Sequence, residues 1–176
     1  MSIAGFNAFT QGDRNMSANT ETTAGRLRAF DTVFWGGLVA GALDAGDSVV
    51  AFGLKGMNTI QVLQYVASGL LGTSAFQGGL ATAALGAVLH FFIAFMVAAV
   101  FYGVALKLPF LYQKPLIYGF LYGAAVYLFM NYFVLPFSAV PKSPFSLPLF
   151  FNGIIGHGLF IGFVIAWFAR RSSSKA

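Results

Sequence analysis

The chain lacks cysteine and carries very little charge. None of its 176 residues is cysteine, and only 9% are Asp, Glu, Lys or Arg, whereas a soluble domain has about 25%. The missing cysteines exclude disulfides, thiol chemistry and zinc or iron–sulfur sites built on Cys. The scarcity of charge, together with a hydrophobic fraction of 58%, excludes a soluble globular domain and a disordered chain.

Acidic residues are missing from most of the chain. The five that exist all lie in the first 47 positions, and the uncharged stretch 56–106 is the longest of three that follow. A membrane-spanning helix needs about 20 mostly apolar residues. We therefore predict an all-α polytopic membrane protein with four transmembrane helices, at about residues 30–53, 81–106, 116–137 and 148–169.

The two ends of the chain differ from this apolar centre. Residues 1–28 are rich in Ser, Thr, Asn, Gly and Ala, and they lack the apolar core of a signal peptide. We interpret 1–28 as a polar cytoplasmic tail, 29–171 as a four-helix transmembrane domain and 172–176 as a second cytoplasmic tail.

The basic residues are distributed unequally between the two sides of the predicted membrane. Only Lys55 and Lys142 fall on the side opposite the termini, and the other eight fall on the terminal side. Because Lys and Arg are enriched in cytoplasmic loops, we predict that both termini are cytoplasmic. The basic residues lie at segment ends and form no massed patch, which argues against nucleic acid as a partner.

The two loops on the opposite side have distinct patterns. Asn58 and Gln61 form a plausible capping pair at the start of a helix, and the following residues separate into a polar and an apolar face. We predict an uncharged amphipathic helix that lies in the membrane interface or is tucked back over the bundle. The 138–147 loop and its flanks hold four prolines, which exclude a regular helix and suggest a cap.

Short motifs recur in the two halves of the chain. A Gly-x-x-x-His motif occurs in spans two and four, and Gly-x-x-x-Gly opens spans one and three. The motifs are Gly86–His90, Gly153–His157, Gly37–Gly41 and Gly119–Gly123. They suggest two helical hairpins related by a pseudo-two-fold axis along the membrane normal, with small residues that allow the helices to approach closely.

Polar residues within the spans gather at one depth. With a rise of about 1.5 Å per residue, all of them map to the half of the membrane opposite the termini. The residues are Asp44, Asp47, His90, Asn131, Asn152 and His157. Ionisable side chains inside a membrane are costly and usually face the protein interior or a cavity, so we take these six as the candidate site.

Three interpretations of this polar cluster compete. In the first, Asp44 and one or both histidines form a buried hydrogen-bonded pair that fixes the bundle. In the second, Asp44 or Asp47 titrates against His90 or His157 in a proton- or ion-handling site. In the third, His90, His157 and Asp44 bind a transition metal, or the two histidines hold a haem. The sequence does not favour the third interpretation, so we predict no cofactor, and a haem or a transition metal stays an alternative.

The second half of the chain resembles the YagU-like bacterial inner-membrane proteins. The motifs are Leu89-His90-Phe91, Lys107-Leu-Pro-Phe110, Leu135-Pro-Phe137, Ser146-Leu-Pro148 and Gly156-His157, within residues 86–171. The resemblance implies a small protein of the bacterial inner membrane that is loosely associated with acid tolerance, and it marks His90 and His157 as matching positions. The first half matches poorly, so nothing carries over to Asp44 or Asp47.

The predicted function is that of a non-enzymatic integral membrane protein. No nucleophile–base pair or phosphate-binding loop is visible. In every span, the half on the membrane side of the termini is apolar, which argues against a simple pore. We expect a small stress-linked protein or an accessory subunit with a buried Asp/His/Asn cluster in the half of the bundle opposite the termini, and a link to protons is one of the interpretations left open for that cluster. A metal- or haem-binding subunit that uses His90 and His157 is the alternative. The lipid bilayer is the expected partner, and a homo-oligomer or a larger membrane complex stays open.

Overall fold

The computed structural model describes residues 29–173 of the chain, and within them every regular element is helical. Four helices are long and apolar enough to cross a membrane, as the uncharged stretches predict. These spans are α1 (Ala29–Gly53), α3 (Gly79–Lys107), α5 (Pro115–Val134) and α6 (Leu147–Ser173). Two further helices, α2 (Thr59–Leu71) and α4 (Phe110–Gln113), lie in the connections. The architecture is that of an all-α membrane protein.

The helix ends differ from the predicted bounds by up to four residues. The third span ends at Val134, before Pro136, because proline cannot continue a helix. The fourth continues to Ser173, beyond the predicted end at 169 and into the segment assigned to the second tail. The 1–28 tail and residues 174–176 lie outside the described residues.

Three of the four spans contain π-helical turns that no sequence pattern predicts. These turns cover Thr32–Gly36, Pro115–Gly119, Met130–Val134 and His157–Phe163. The wider π-helical turn is rare and often accompanies functional sites. One of these turns begins at His157, and another contains Asn131, so both candidate residues lie where the helix departs from regular α geometry.

The bundle core is made mainly of small side chains. Ala40, Ala98 and Ala166 are fully buried together with Phe101 and Ile165. Many larger apolar side chains, Phe92 and Phe129 among them, point outward. This arrangement suits a lipid environment, where close backbone packing rather than hydrophobic burial holds the helices together.

The two hairpins pack in an equivalent way, as the repeated motifs suggest. In the first hairpin, Gly37 faces Phe95 and Gly41 faces Phe91. Each position in α1 corresponds to the position 82 residues later in α5, and each position in α3 to the one 67 residues later in α6. The equivalent contacts are therefore Gly119 with Gly162 and Gly123 with Gly158. Those contacts are the ones that the second hairpin makes, and the same register relates His90 to His157.

The amphipathic helix α2 folds back and packs against α3. Its N-terminus has the predicted capping box between Asn58 and Gln61. Its faces are inverted relative to a soluble amphipathic helix, because Gln64 and Ser68 are buried whereas Ile60 and Leu70 are exposed. The loop between α5 and α6 lies at the same end of the bundle, where Lys55 Nζ donates a hydrogen bond of 3.1 Å to Ser146 Oγ. We call this end the capped end, and the opposite one, which carries Lys107 and Arg170, the basic end.

Candidate functional site

Asp44 and His157 form the centre of the candidate site. The Asp44 Oδ1 and His157 Nδ1 atoms lie 3.3 Å apart, and the two side chains are 9% and 23% exposed. Both atoms are buried, and neither has a hydrogen-bond partner of good geometry among residues 29–173. The separation exceeds the length of about 2.7–2.9 Å that is typical of a charge-assisted hydrogen bond. The acid and the base are therefore in close contact, but no hydrogen bond of good geometry joins them.

Asp47 and Asn152 form a second polar pair one helical turn away. The Asn152 Nδ2 atom donates a hydrogen bond of 2.9 Å to Asp47 Oδ2. A side chain added at Gly156 would lie 2.5 Å from the same carboxylate oxygen, so the absence of a side chain there makes room for Asp47. Both acids of α1 thus meet polar groups of α6, at spacing i and i+3 on one helix face.

His90 takes a different partner. Its Nε2 atom lies 2.8 Å from the Gly41 carbonyl oxygen in α1. A carbonyl can only accept, so Nε2 must carry the proton, and in the neutral ring Nδ1 is then left with a lone pair. The neighbouring position Gly41 allows α1 to approach α3 closely at this level.

Asn131 is the one predicted residue that stays apart from the others. Its Nδ2 atom donates a hydrogen bond of 2.9 Å to the Tyr127 carbonyl oxygen in its own helix. This bond satisfies the amide within the π-helical end of α5 and brings it to none of the other five candidate side chains within the described part of the chain.

Asp44, His90 and His157 line one cavity of about 180 Å³. The cavity lies between α3 and α5, and α2 with the 134–140 segment lines its capped end. The Ala139 N–H donates a hydrogen bond of 3.0 Å to the Gly69 carbonyl, which ties this segment to the end of α2. Sequence position alone predicted a shared depth for the three side chains, and the structure places them on one cavity wall.

Three tyrosines complete the surroundings of the site, and none of them is among the six predicted residues. The Tyr127 ring meets the His157 ring edge to face, with centroids 5.3 Å apart. The Tyr122 hydroxyl donates a hydrogen bond of 2.8 Å to the Val97 carbonyl and so connects α5 to α3. Tyr65 of α2 lines the cavity, and burial raises the pKa of its hydroxyl above the usual value. The inward polar face of α2 is the signal that could have found Tyr65.

The residues present offer few ligands for a metal ion. No group of three or more His, Cys, Asp or Glu side chains with suitable placement occurs within residues 29–173. His90 Nε2 is also engaged by the Gly41 carbonyl. The metal- or haem-binding alternative for His90, His157 and Asp44 stays a prediction.

Comparisons with protein-family models, with curated proteins and with solved structures find no match to this chain. The resemblance to the YagU-like proteins therefore stays a prediction carried by its short motifs. Any assignment of function accordingly rests on the geometry of the site.

Proposed function

We propose that this chain is a non-enzymatic, proton-linked integral membrane protein whose Asp44–His157 pair takes up and releases a proton at the wall of the capped cavity. The 3.3 Å separation of Asp44 Oδ1 and His157 Nδ1 carries the proposal. Two arrangements, carboxylate with imidazolium and carboxylic acid with imidazole, have the same net charge. A short movement of one proton converts one into the other.

The surroundings of Asp44 and His157 support proton exchange by this pair in preference to a purely structural role. Charges buried in a membrane are costly, so a pair that shares one proton and is neutral overall costs less than a lone carboxylate or imidazolium, whereas release of that proton to the cavity leaves a carboxylate beside a neutral imidazole with one net negative charge. The unlocked geometry leaves both atoms able to receive a proton, and both side chains line the cavity. By contrast, the Asp47–Asn152 pair is closed by a good hydrogen bond and supports a structural role.

A bacterial inner-membrane location with both termini in the cytoplasm belongs to the same proposal. Its support is the excess of basic residues at one end of the bundle. With that orientation, the capped end with α2 faces the exterior. Relationship to the YagU-like proteins, and with it a role in acid stress, is supported only by the motifs around His90 and His157.

The test uses the fact that the chain has only two histidines. Nitrogen-15 NMR of histidine-labelled protein in detergent, with His90→Gln for assignment, gives the His157 ring signal over about pH 5 to 8, the range in which imidazoles commonly titrate. We expect this signal to move with pH and the movement to change much more in Asp44→Asn than in Asp47→Asn, because Asp47 interacts with His157 only through space. Reconstituted protein should then carry a proton flux that Asp44→Asn abolishes.

The opposite result is equally clear. A His157 signal that is insensitive to pH, or whose pH response is identical in wild type and Asp44→Asn, would overturn the proposal. If Asp44→Asn and His157→Gln only lower the unfolding temperature, the pair is structural.

A further inference from the structure

The cavity occupies the position of a missing helix–helix interface. Asp44 in α1 faces His157 in α6 where the two hairpins pack directly against each other. In the correspondence between the hairpins, the position equivalent to Asp44 is Val126 of α5, and the position equivalent to His157 is His90 of α3. Val126 and His90 both line the cavity, which lies between α3 and α5 at this level, while the Tyr122 hydroxyl joins the two helices at Val97. The bundle is therefore closed at one of two equivalent interfaces and hollow at the other.

The hollow has the size of a small organic molecule. An apolar cavity of about 150 Å³ in another protein binds benzene, and this one measures about 180 Å³. One ring with a short substituent, or a short alkyl chain, fits such a space. Most of the wall suits an apolar body, and its aliphatic and thioether members include Ile93, Val97, Val126, Met130, Val134 and Leu135.

The polar part of the wall is formed by the Asp44 carboxyl group and by hydrogen-bond acceptors. The Asp44 side chain lines the cavity and is 91% buried; its Oδ1 atom is itself buried against His157 Nδ1, so a ligand would have to take the place of this contact to reach that oxygen. His90 also lines the cavity; its Nε2 is bonded to the Gly41 carbonyl, so only Nδ1 remains for a ligand, and Nδ1 is an acceptor in the neutral ring. The Ser138 hydroxyl gives its proton to the Leu135 carbonyl and accepts a hydrogen bond of 3.3 Å from the Val140 N–H, which leaves it one lone pair. Acceptors beside a carboxylate select a ligand that donates hydrogen bonds and carries a positive charge.

We propose that the cavity binds a small primary amine in its ammonium form, with an apolar body of one ring or a short chain. The inference rests on the proposed function, because the ammonium group and the proton of the Asp44–His157 pair compete for the same carboxylate. Entry of one ammonium cation releases one proton to solvent, so the net charge of the site is unchanged. No covalent bond is formed or broken except that of the departing proton.

Other titratable groups around the pair are few and come from each neighbouring helix. Asp47 follows Asp44 in α1 and is bonded to Asn152. Within residues 29–173, the others are His90 of α3, Tyr65 of α2 and Tyr127 of α5. Of these, Asp47 is the second negative group, so its substitution is the matched control for Asp44.

The experiment measures benzylamine binding to the full chain in detergent micelles by calorimetry, with benzyl alcohol as the neutral probe of similar shape. We expect benzylamine to bind wild type at least tenfold more tightly than benzyl alcohol. Its affinity should rise about tenfold per pH unit where one proton is exchanged. Asp44→Asn should weaken benzylamine binding at least tenfold, and Asp47→Asn, which removes a carboxylate that is only nearby, should weaken it clearly less.

A second variant keeps the test decisive if Asp44→Asn fails to fold. Val126→Phe places a ring in the cavity without altering either member of the pair, and it should abolish benzylamine binding while the pH response of the His157 NMR signal persists. Equal binding of the two probes, or wild-type affinity in both Asp44→Asn and Val126→Phe, would overturn the inference. If benzylamine does not bind but His157 responds to pH through Asp44, this inference fails and the proposed function stands. If neither is seen, both fail.

Discussion

The Asp47 carboxylate accepts a hydrogen bond of 2.9 Å from the Asn152 amide, one helical turn from the contact between Asp44 and His157. The two acids share one face of α1 and both meet α6, yet only Asp47 has a closed hydrogen bond. This difference is the reason why we propose a structural role for Asp47 and proton exchange at Asp44.

The Asp47–Asn152 bond should respond to substitution according to shape and not charge. Asp47→Asn keeps an oxygen acceptor for the Asn152 amide, so we expect the free energy of unfolding to change little. Asp47→Leu leaves that amide without its acceptor and should lower the free energy of unfolding by about 1 kcal/mol, in the range measured for such bonds in membranes. Equilibrium unfolding in mixed micelles measures both. An Asp47→Asn loss as large as that of Asp47→Leu would show that the charge itself is required.

Close packing of the second hairpin predicts a strong effect at Gly123. A Cβ added there would overlap the His157 carbonyl group, which is backbone and cannot turn aside. We expect Gly123→Ala to cost about 1–3 kcal/mol and to displace His157 from Asp44. Gly103→Ala is the control, because nothing lies within 4 Å of a Cβ at that position. Thermal unfolding in detergent and the His157 NMR signal report the two effects, and equal behaviour of the two variants would contradict the packing.

The sequence predicts the fold because one physical requirement dominates it. Long uncharged stretches bounded by Lys and Pro leave only membrane-spanning helices as a solution. The sequence does not show which face of each helix is directed toward the protein interior and which toward lipid or water. A polar face normally indicates solvent, yet Gln64 and Ser68 of α2 point inward, because Gln64 reaches the Gly79 carbonyl at 3.0 Å and lipid suits the apolar face.

The sequence predicts the depth of the candidate-site residues in the membrane, but not which of their side chains contact each other. Counting residues along straight helices brings Asp44, His90 and His157 to one level. It cannot tell which histidine meets the acid, since helix rotation decides this, and the π-helical turn beginning at His157 changes that rotation. Asn131 shows the same limit, because it lies near the right depth and bonds to its own helix.

The inward polar face of α2 gives a prediction about the cap. Gln64 is buried and donates to the Gly79 carbonyl and to Thr82 Oγ1, at 3.0 and 3.3 Å. Gln64→Leu removes both bonds and should open the cap locally, so we expect amide hydrogen exchange in α2 to rise about tenfold, which corresponds to about 1.4 kcal/mol. Gln77→Leu, at an exposed position of the adjoining turn, is the control. Exchange that is unchanged in Gln64→Leu would mean that these bonds do not hold α2 in place.

Tyr65 predicts a loss of stability at alkaline pH. Burial raises the pKa of its hydroxyl above the ordinary value of 10.0, so the folded protein keeps the phenol protonated where the unfolded chain begins to lose its proton. The associated stability is complete below the unfolded pKa and falls as pH rises toward the folded one. We expect the free energy of unfolding to decrease less steeply above about pH 10 in Tyr65→Phe than in wild type. Tyr132→Phe, at an exposed ring, controls for the loss of a hydroxyl. Identical slopes in wild type and Tyr65→Phe would show that Tyr65 does not contribute.

The absence of cysteine makes the predicted orientation directly testable. Ser143→Cys lies in the exposed loop at the capped end, and Gln113→Cys lies in the exposed turn at the basic end. Each variant carries one thiol on a cysteine-free background, so a membrane-impermeant maleimide reports its side unambiguously. Because Lys and Arg favour the cytoplasmic side, we expect the reagent to label Ser143→Cys in intact bacterial spheroplasts and Gln113→Cys only after they are permeabilised. The reverse pattern would invert the topology and place the capped end of the cavity toward the cytoplasm. Labelling of both positions in intact spheroplasts would contradict a single orientation in the membrane.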